Sequence, residues 1–277
     1  MGVVVINLDL SIPFTAARAR NEGAKALLNL NPQVEFIQFV DGDCEVQAGW
    51  LEKAYDFIKQ SDDSAVVCGR RRERYPSASV FNQLCDLEWD TPVGEAKSCG
   101  GDALIRVRAF KQVNGYNETL IAGEEPEMCF RMRQHSWKIM RLNCEMTLHD
   151  ASMTRVSQWW KRHKRAGHAY AESYFLHGNT AEKFRLKEVR SNLLWSGFSI
   201  CILIMTLWQP IILIALSIYP LQIIRLTYRE VRKYKNMSLA LMLSISNSIS
   251  KFPQTLGILM FIKNKVFRDQ SEIIEYK

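Results

Sequence analysis

The sequence predicts an α/β domain followed by an apolar, membrane-associated helical region. Short apolar runs alternate with segments of helical period up to residue 177, as in layered α/β domains. The segment Asp41-Gly42-Asp43 directly follows the apolar run 35–40, so two carboxylates leave the predicted sheet at one edge. The stretch Ser191–Ile224 contains no charged residue, which is typical of a segment inside a membrane.

The first predicted elements are a strand, a helix and a second strand. Residues 3–9 are mostly apolar and predict a short strand. Thr15 is a suitable N-cap for a helix that ends before Asn31-Pro32, because the residue before a proline avoids helical geometry. The apolar run 35–40 then predicts the strand that precedes the two aspartates.

The same alternation continues through the rest of the domain. Hydrophobic spacing predicts helices over 50–59, 110–115, 126–134 and 155–177, and strands over 64–68, 103–107 and 138–142. Residues 70–98 are polar and aromatic with weak periodicity, which predicts a long functional loop with short helices. Because strands alternate with helices, we expect a largely parallel sheet.

The charge-free stretch 191–224 is too long for one straight span of about 20 residues and barely long enough for two. Pro210 lies near its middle, and basic residues precede and follow it, which places both ends on the cytoplasmic side. We therefore predict a hairpin or re-entrant pair kinked at Pro210, with a single tilted span as the alternative. Residues 238–262 are apolar but interrupted by Lys251 and Pro253, which predicts a helix in the membrane interface.

The net charge of +7 favours anionic partners such as nucleotide phosphates or anionic lipid. The basic residues cluster at 70–74, 155–165 and 225–235. These clusters contain no recognisable nucleic-acid motif, so we expect no nucleic-acid partner.

The seven cysteines show no C-x-x-C spacing, so the sequence predicts neither a zinc site nor a redox pair. An odd number without a pattern suits a reducing cytoplasm. Residues 1–10 lack a basic start and contain Asp9, so they do not resemble a signal peptide. The α/β domain is therefore expected on the cytoplasmic side.

Asp41 and Asp43 are the first candidate site residues. Two close carboxylates repel each other unless a cation lies between them, and Mg²⁺ or Mn²⁺ prefers such oxygen ligands. The alternative is a solvated Asp-Gly turn. His149 follows a predicted strand, and its imidazole could complete a mixed oxygen and nitrogen ligand set. A structural histidine is the alternative for that residue.

Glu124 and Glu125 lie between Gly123 and Pro126, at a predicted helix start. Opposite a metal-bound diphosphate, a carboxylate can accept a proton from an acceptor hydroxyl. A plain helix-start signal is the alternative interpretation.

Further candidates would contact phosphate or sugar. Paired glycines at Gly100-Gly101, before Asp102, allow close approach of the main chain to a ligand, although such a pair also occurs in ordinary loops. Trp159 and Arg162 could stack on a sugar or base and neutralise phosphate, or belong to a basic helix at a membrane surface. Arg20-Asn21 is another candidate for phosphate contact.

In order, these motifs resemble family 2 glycosyltransferases of the GT-A fold. The resemblance covers about residues 1–175 and rests on six segments: Ala19-Arg20-Asn21, Asp41-Gly42-Asp43, Gly100-Gly101-Asp102, Gly115-Tyr116-Asn117, Gly123-Glu124-Glu125 and Gln158-Trp159-Trp160-x-Arg162. It implies a mixed GT-A-like sheet and a nucleotide-sugar donor bound with Mn²⁺ or Mg²⁺.

The resemblance also implies roles for individual residues. Asp43 would bind the metal directly with His149, while Asp41 would support metal or nucleotide. Glu125 takes the position of the catalytic base, and Glu124 is its neighbour. The QWWKR segment is only similar to the signature of processive members, which argues against processive polymer synthesis.

Compared with typical members, the sequence begins at what resembles the third strand of the fold, so the strands that hold the nucleobase are expected to be absent. The alternative function is therefore a truncated, non-catalytic membrane-bound binding or scaffold protein of the same fold. A metal-dependent phosphohydrolase is a third candidate.

The predicted organisation is a glycosyltransferase domain at 1–178, a linker at 179–190 and a membrane-associated region at 191–277. The predicted activity is metal-dependent, inverting transfer of a sugar to an acceptor hydroxyl. The acceptor is expected to be a lipid-linked glycan or polysaccharide precursor, with the catalytic domain on the cytoplasmic face of the inner membrane.

Overall fold

The computed structural model describes residues 2–9 and 11–267 and divides into two compact units, Met1–Ser152 and Met153–Lys277. The first unit contains α1 (Ala16–Leu30), β1 (Phe36–Phe39), β2 (Cys44–Val46), α2 (Trp50–Gln60), β3 (Ser64–Glu73), α3 (Val80–Glu88), β4 (Gly94–Ala96), β5 (Ala103–Arg106), α4 (Val107–Gln112), α5 (Glu124–Gln134) and β6 (Lys138–His149). The second contains α6 (Val156–His177), α7 (Leu186–Met205), a 3₁₀ helix (Pro210–Ser217), α8 (Ile218–Tyr234), α9 (Met237–Ile249) and α10 (Lys251–Phe267).

The strands of the first unit form a mixed sheet in the order β1-β5-β3-β6-β2, with β4 also paired to β6. The mixed α/β architecture is confirmed, but the expectation of a largely parallel sheet was wrong. Among the described strands, only β3 and β6 pair in parallel. β1 and β3 do run in the same direction, as strand-helix-strand alternation predicts, but β5 lies between them and is antiparallel to both.

Several predicted boundaries change in the structure. Residues 3–9 form no strand with the described residues, and most of their side chains are exposed. β3 continues to Glu73, so the basic run 70–72 is part of a strand, and α3 and β4 occupy much of the predicted loop. β6 is one 12-residue strand rather than a short strand over 138–142. Both strands are long because they pair with each other along almost their whole length.

Local signals placed α1, α2 and α5 to within about two residues, whereas α4 begins at Val107 rather than at residue 110. The Thr15 side chain accepts a hydrogen bond from the Arg18 amide, and α1 ends at Leu30 as its proline signal predicts. Met128, Cys129 and Met132 of α5 are all fully buried, as expected from their spacing. They belong to a single hydrophobic core between the sheet and its helices, which fixes the strand ends where the candidate residues lie.

The second unit is helical. α6 and α10 cross closely at two glycines: a Cβ on Gly167 would lie 1.9 Å from the Gln254 carbonyl oxygen, and one on Gly257 equally close to that of Lys164. α6 therefore belongs to this unit, although the sequence assigned it to the domain ending at residue 178.

The apolar C-terminal region is broken at prolines. Helical structure is interrupted between Met205 and Pro210, and a second break separates α9 from α10, where Pro253 occupies the first turn of the new helix. The predicted interfacial helix over 238–262 is thus two helices. Of the described residues, only the helical segment Pro210–Tyr234 has the length and apolar composition needed to cross a membrane.

Candidate active site

Asp41 lies directly after β1 and is held by two arginines. Its carboxylate accepts hydrogen bonds from Arg20 at 2.5 Å and from Arg71 at 3.1 Å. Burial opposes ionisation of Asp41, but the two guanidinium groups outweigh that effect and lower its pKa. Asp41 is therefore a carboxylate whose oxygens already neutralise positive charge.

Asp102 contacts both Asp41 and Arg71. Its side chain has no exposed surface, and one oxygen accepts a hydrogen bond from the Asp41 amide at 2.8 Å. The other oxygen contacts Arg71 at 2.8 Å and the Thr147 hydroxyl at 2.7 Å. The sequence predicted that Asp102 contacts the donor. In this structure its observed role is to position Asp41 and Arg71, and the partner Thr147 was not anticipated.

Arg20 connects the aspartate motif to the glutamate pair. One of its terminal nitrogens donates to Asp41 and the other donates to Glu124 at 2.6 Å. The neighbouring Asn21 holds the loop after α4, since its amide group donates to the Tyr116 carbonyl and accepts from the Tyr116 amide. The predicted phosphate contacts of these two residues stay predictions, while their observed contacts order the site.

The two glutamates have different surroundings. Glu124 belongs to the network of Arg20 and Asp41, whereas Glu125 faces the loop before Gly100 and is 5% exposed. The same oxygen of Glu125 accepts two hydrogen bonds, one from the Cys99 amide at 2.6 Å and one from the Cys129 thiol at 3.1 Å. Sequence alone could not separate these environments, because neighbouring positions at a helix start differ only in direction.

Asp43 and His149 form the candidate metal site. β2 and β6 pair so that Cys44 lies opposite His149, and this register brings His149 Nε2 to 3.3 Å from an Asp43 oxygen. The Asp43 side chain is 41% exposed, and the Trp89 ring lies edge-on to His149 with centroids 4.9 Å apart. A carboxylate oxygen beside an imidazole nitrogen is a donor set that Mn²⁺ or Mg²⁺ can use.

Cys44 also lies within reach of Asp43 and His149, and sequence reasoning did not include it. Burial raises the pKa of this thiol, and Mn²⁺ and Mg²⁺ prefer oxygen ligands to sulfur, so Cys44 is a poor ligand for these two cations. Asp41, predicted as a third ligand, is instead paired with Arg20 and Arg71. The geometry therefore fits a metal best between Asp43 and His149.

Two protein families match segments of the chain that lie almost entirely within the first unit. The family described as "Glycosyl transferase family 2" matches residues 8–112, which carry Arg20, the two aspartates and the glycine pair. Residues 8–112 belong to glycosyl transferase family 2. A second family, described as "N-terminal domain of galactosyltransferase", matches residues 86–156 and includes both glutamates. Glycosyl transfer is therefore the general activity of this domain.

Among solved structures, the chain is similar to S. aureus TarS 1-349, with 13% sequence identity and a TM-score of 0.43. That similarity covers 90% of this chain and 72% of the TarS chain. No curated protein matches the sequence.

Trp159 and Arg162 lie on α6, in the second unit of the glycosyltransferase. Trp159 is buried there: its indole N–H donates to the Ser246 hydroxyl at 3.2 Å, and its ring lies edge-on to His163 with centroids 4.5 Å apart. These contacts account for Trp159 within its own unit. The predicted donor contacts of Trp159 and Arg162 stay predictions.

The glycine pair of the glycosyltransferase offers a test of close packing at Asp41. Both glycines have positive φ, +87° at Gly100 and +109° at Gly101. A Cβ on Gly101 would lie 2.7 Å from an Arg71 nitrogen and 3.2 Å from an Asp41 oxygen, whereas one on Gly100 would meet nothing within 4 Å. We expect Gly101→Ala to lower the transfer rate about 100-fold, the loss typical of a misplacement of ~1 Å at an active site.

Gly100→Ala is the matched control, because it introduces the same backbone strain without the contact. Steady-state rates and thermal unfolding should be measured for both variants. Both are expected to lose similar stability, and Gly101→Ala is expected to lose considerably more activity. Equal rates in the two variants would contradict the close packing of Gly101 against Asp41 and Arg71.

Proposed function

We propose that the protein is a metal-dependent, inverting hexosyltransferase that uses a nucleotide-diphosphate sugar as donor. The observation that carries the proposal is the pairing of Asp43 with His149, two residues along the chain from Asp41, which lies between two arginines. This combination provides a hard-cation site next to fixed positive charge, which suits a diphosphate.

Asp43 and His149 would hold Mn²⁺ or Mg²⁺. When bound, the cation supplies positive charge that stabilises the leaving diphosphate. Arg20 and Arg71 are fixed by Asp41, Glu124 and Asp102, so they keep their orientation while the donor binds.

Glu125 is proposed as the proton acceptor. Its carboxylate would take the proton of the acceptor hydroxyl while that oxygen bonds to the anomeric carbon of the sugar. At the same time the bond between the anomeric carbon and the diphosphate oxygen breaks, with its electron pair leaving on the nucleoside diphosphate. A single displacement of this kind inverts the anomeric configuration, and the Cys99 amide keeps Glu125 in one orientation.

A lipid-linked glycan or polysaccharide precursor is the proposed acceptor. The segment Pro210–Tyr234 supports membrane association, and its end is basic through Arg225, Arg229 and Arg232. Basic residues also precede the apolar region, and such residues prefer the cytoplasmic side. We therefore place the catalytic unit on the cytoplasmic face, in contact with membrane lipid.

Product analysis tests the proposed reaction. The full chain in detergent should be incubated with a panel of nucleotide-diphosphate sugars, Mn²⁺ and a membrane lipid extract as acceptor. We expect nucleoside diphosphate and glycosylated lipid of inverted configuration, and no products after chelation of the metal. Release of inorganic phosphate without sugar transfer would instead indicate a phosphohydrolase.

A further inference from the structure

Three side chains below the glycine pair form a second possible cation site, here called the thiol cluster: Cys99, Glu125 and Cys129. One ligand atom of each residue lies within 4.8 Å of the other two, and all three residues are buried. The cluster differs in composition from the pair of Asp43 and His149, because two of its three ligand atoms are sulfur.

The fold assembles this cluster from two segments. Glu125 and Cys129 lie one turn apart on α5, so their side chains share a helix face. Cys99 comes from the loop before Gly100, and its amide fixes Glu125 at 2.6 Å while the Cys129 thiol donates to the same oxygen at 3.1 Å. The absence of C-x-x-C spacing therefore did not exclude a site built from two cysteines and a glutamate.

The chemistry of these ligands favours a thiophilic cation. Zn²⁺ binds thiolates at about 2.3 Å and carboxylates at about 2.0–2.2 Å, which places tetrahedral ligand atoms roughly 3.5–3.8 Å apart. The three ligand atoms already lie within 4.8 Å of one another, which is compatible with that spacing. Mn²⁺ and Mg²⁺ prefer oxygen ligands, so the two sites should discriminate between cations.

Without a cation, the surroundings of Cys99 and Cys129 favour the protonated thiols. A hydrogen bond with Cys99 and burial both raise the pKa of Cys129. The contact with Cys129 lowers the pKa of Cys99, but burial and the nearby Glu125 carboxylate outweigh it. Because thiolates are the species that undergo disulfide exchange, these protonated thiols are poorly suited to a redox pair.

We propose that Cys99, Glu125 and Cys129 bind one thiophilic divalent cation, such as Zn²⁺ or Cd²⁺, and that this binding inhibits glycosyl transfer. Two S–H bonds break, two metal–sulfur bonds form, and both protons pass to solvent. Glu125 then coordinates the cation and no longer accepts the proton of the acceptor hydroxyl. The inhibition part rests on the proposed function, whereas cation binding does not.

Cadmium titration tests the site directly. The full chain in detergent, reduced with a phosphine and supplied with excess Mg²⁺, should be titrated with Cd²⁺ while the ultraviolet thiolate-to-cadmium charge-transfer band is recorded. We expect one tight equivalent in the wild type. Cys99→Ser and Cys129→Ser should each lower the affinity for Cd²⁺ by at least about tenfold. Removing a residue that only supports a metal ligand already costs about 10–100-fold in affinity, and removing a ligand itself should cost no less.

Cys44→Ser and Cys201→Ser are the matched controls. Cys44 belongs to the other candidate cluster and Cys201 is exposed on α7, so both variants should keep the tight equivalent. Circular dichroism and thermal unfolding verify that all variants are folded, and Cys99→Ala and Cys129→Ala replace any serine variant that is not. Absence of a stoichiometric band in the wild type, or its loss in Cys44→Ser alone, would overturn the site.

Inhibition is measured separately. Transfer with Mn²⁺ should fall at least tenfold when one equivalent of Zn²⁺ is added to the wild type, relative to its own zinc-free rate. In Cys129→Ser the same addition should have little effect relative to that variant's zinc-free rate. A tight cadmium band without zinc inhibition would overturn the regulatory part. If the protein showed no transfer activity, the proposed function would be wrong. The cadmium titration would then still show whether the thiol cluster binds a cation.

Discussion

Glu125→Gln is expected to lower the rate of glycosyl transfer by about 10²–10⁴-fold, the usual contribution of a positioned proton acceptor. The amide oxygen of glutamine can still accept the hydrogen bond from the Cys99 amide, so the variant should fold. The loss should appear mainly in kcat, with a smaller change in the KM for the donor, because the substitution removes a group that acts on the acceptor. Initial rates over a range of donor concentrations, at saturating Mn²⁺, measure both quantities.

Glu124→Gln distinguishes the two neighbouring glutamates. Glu124 pairs with Arg20, so its replacement should mainly disturb donor binding and raise KM. If Glu124→Gln abolished kcat while Glu125→Gln kept it, the proton acceptor would be Glu124. If the wild type itself gave only background turnover, the non-catalytic scaffold would become the better interpretation.

Asp43→Asn and His149→Ala are expected to raise the Mn²⁺ concentration needed for half-maximal activity by at least about tenfold. Mutating a residue that only hydrogen-bonds to a metal ligand already lowers metal affinity about 10–100-fold. Removing a ligand itself should therefore lower the affinity at least as much. Electron paramagnetic resonance of Mn²⁺ measures the binding without reference to turnover. Binding of wild-type strength in both variants would refute the site.

Two further variants make the metal prediction specific. Asp41→Asn should lower the transfer rate through the loss of its Arg20 and Arg71 pairs but leave the affinity for Mn²⁺ nearly unchanged. Asp62→Asn removes a carboxylate that is 90% exposed and distant from the candidate residues in sequence, so it should change neither quantity. An equal loss of Mn²⁺ affinity in Asp41→Asn and Asp43→Asn would show that both aspartates bind the metal.

Local sequence signals determined those helix boundaries that depend only on neighbouring residues. Thr15 caps α1 because its side chain reaches an amide three residues later, and the proline after Asn31 excludes helical geometry there. The buried face of α5 follows from the helical period of its methionines. The same reasoning failed for residues 3–9, because an apolar run forms a strand only when another strand pairs with it.

The candidate site shows the same division. Asp43 and His149 were predicted as ligands from their positions after predicted strands, but their 3.3 Å separation depends on the register of β2 against β6. Asp41 was predicted as a ligand because of its type and spacing. Its pairing with Arg20 and Arg71 arises from α1 and β3, which lie 21 and 30 residues away in sequence.

By itself, the sequence determined the α/β class, the approximate limits of α1, α2, α5 and α6, the order of the candidate motifs and the apolar character of the C-terminal region. These properties follow from residue type and short-range period, which neighbouring residues share. Only the tertiary structure decided that β5 separates β1 from β3, that Glu124 and Glu125 face different partners, and that two distant cysteines meet at Glu125. Strand order and side-chain direction depend on long-range packing, and no local pattern encodes them.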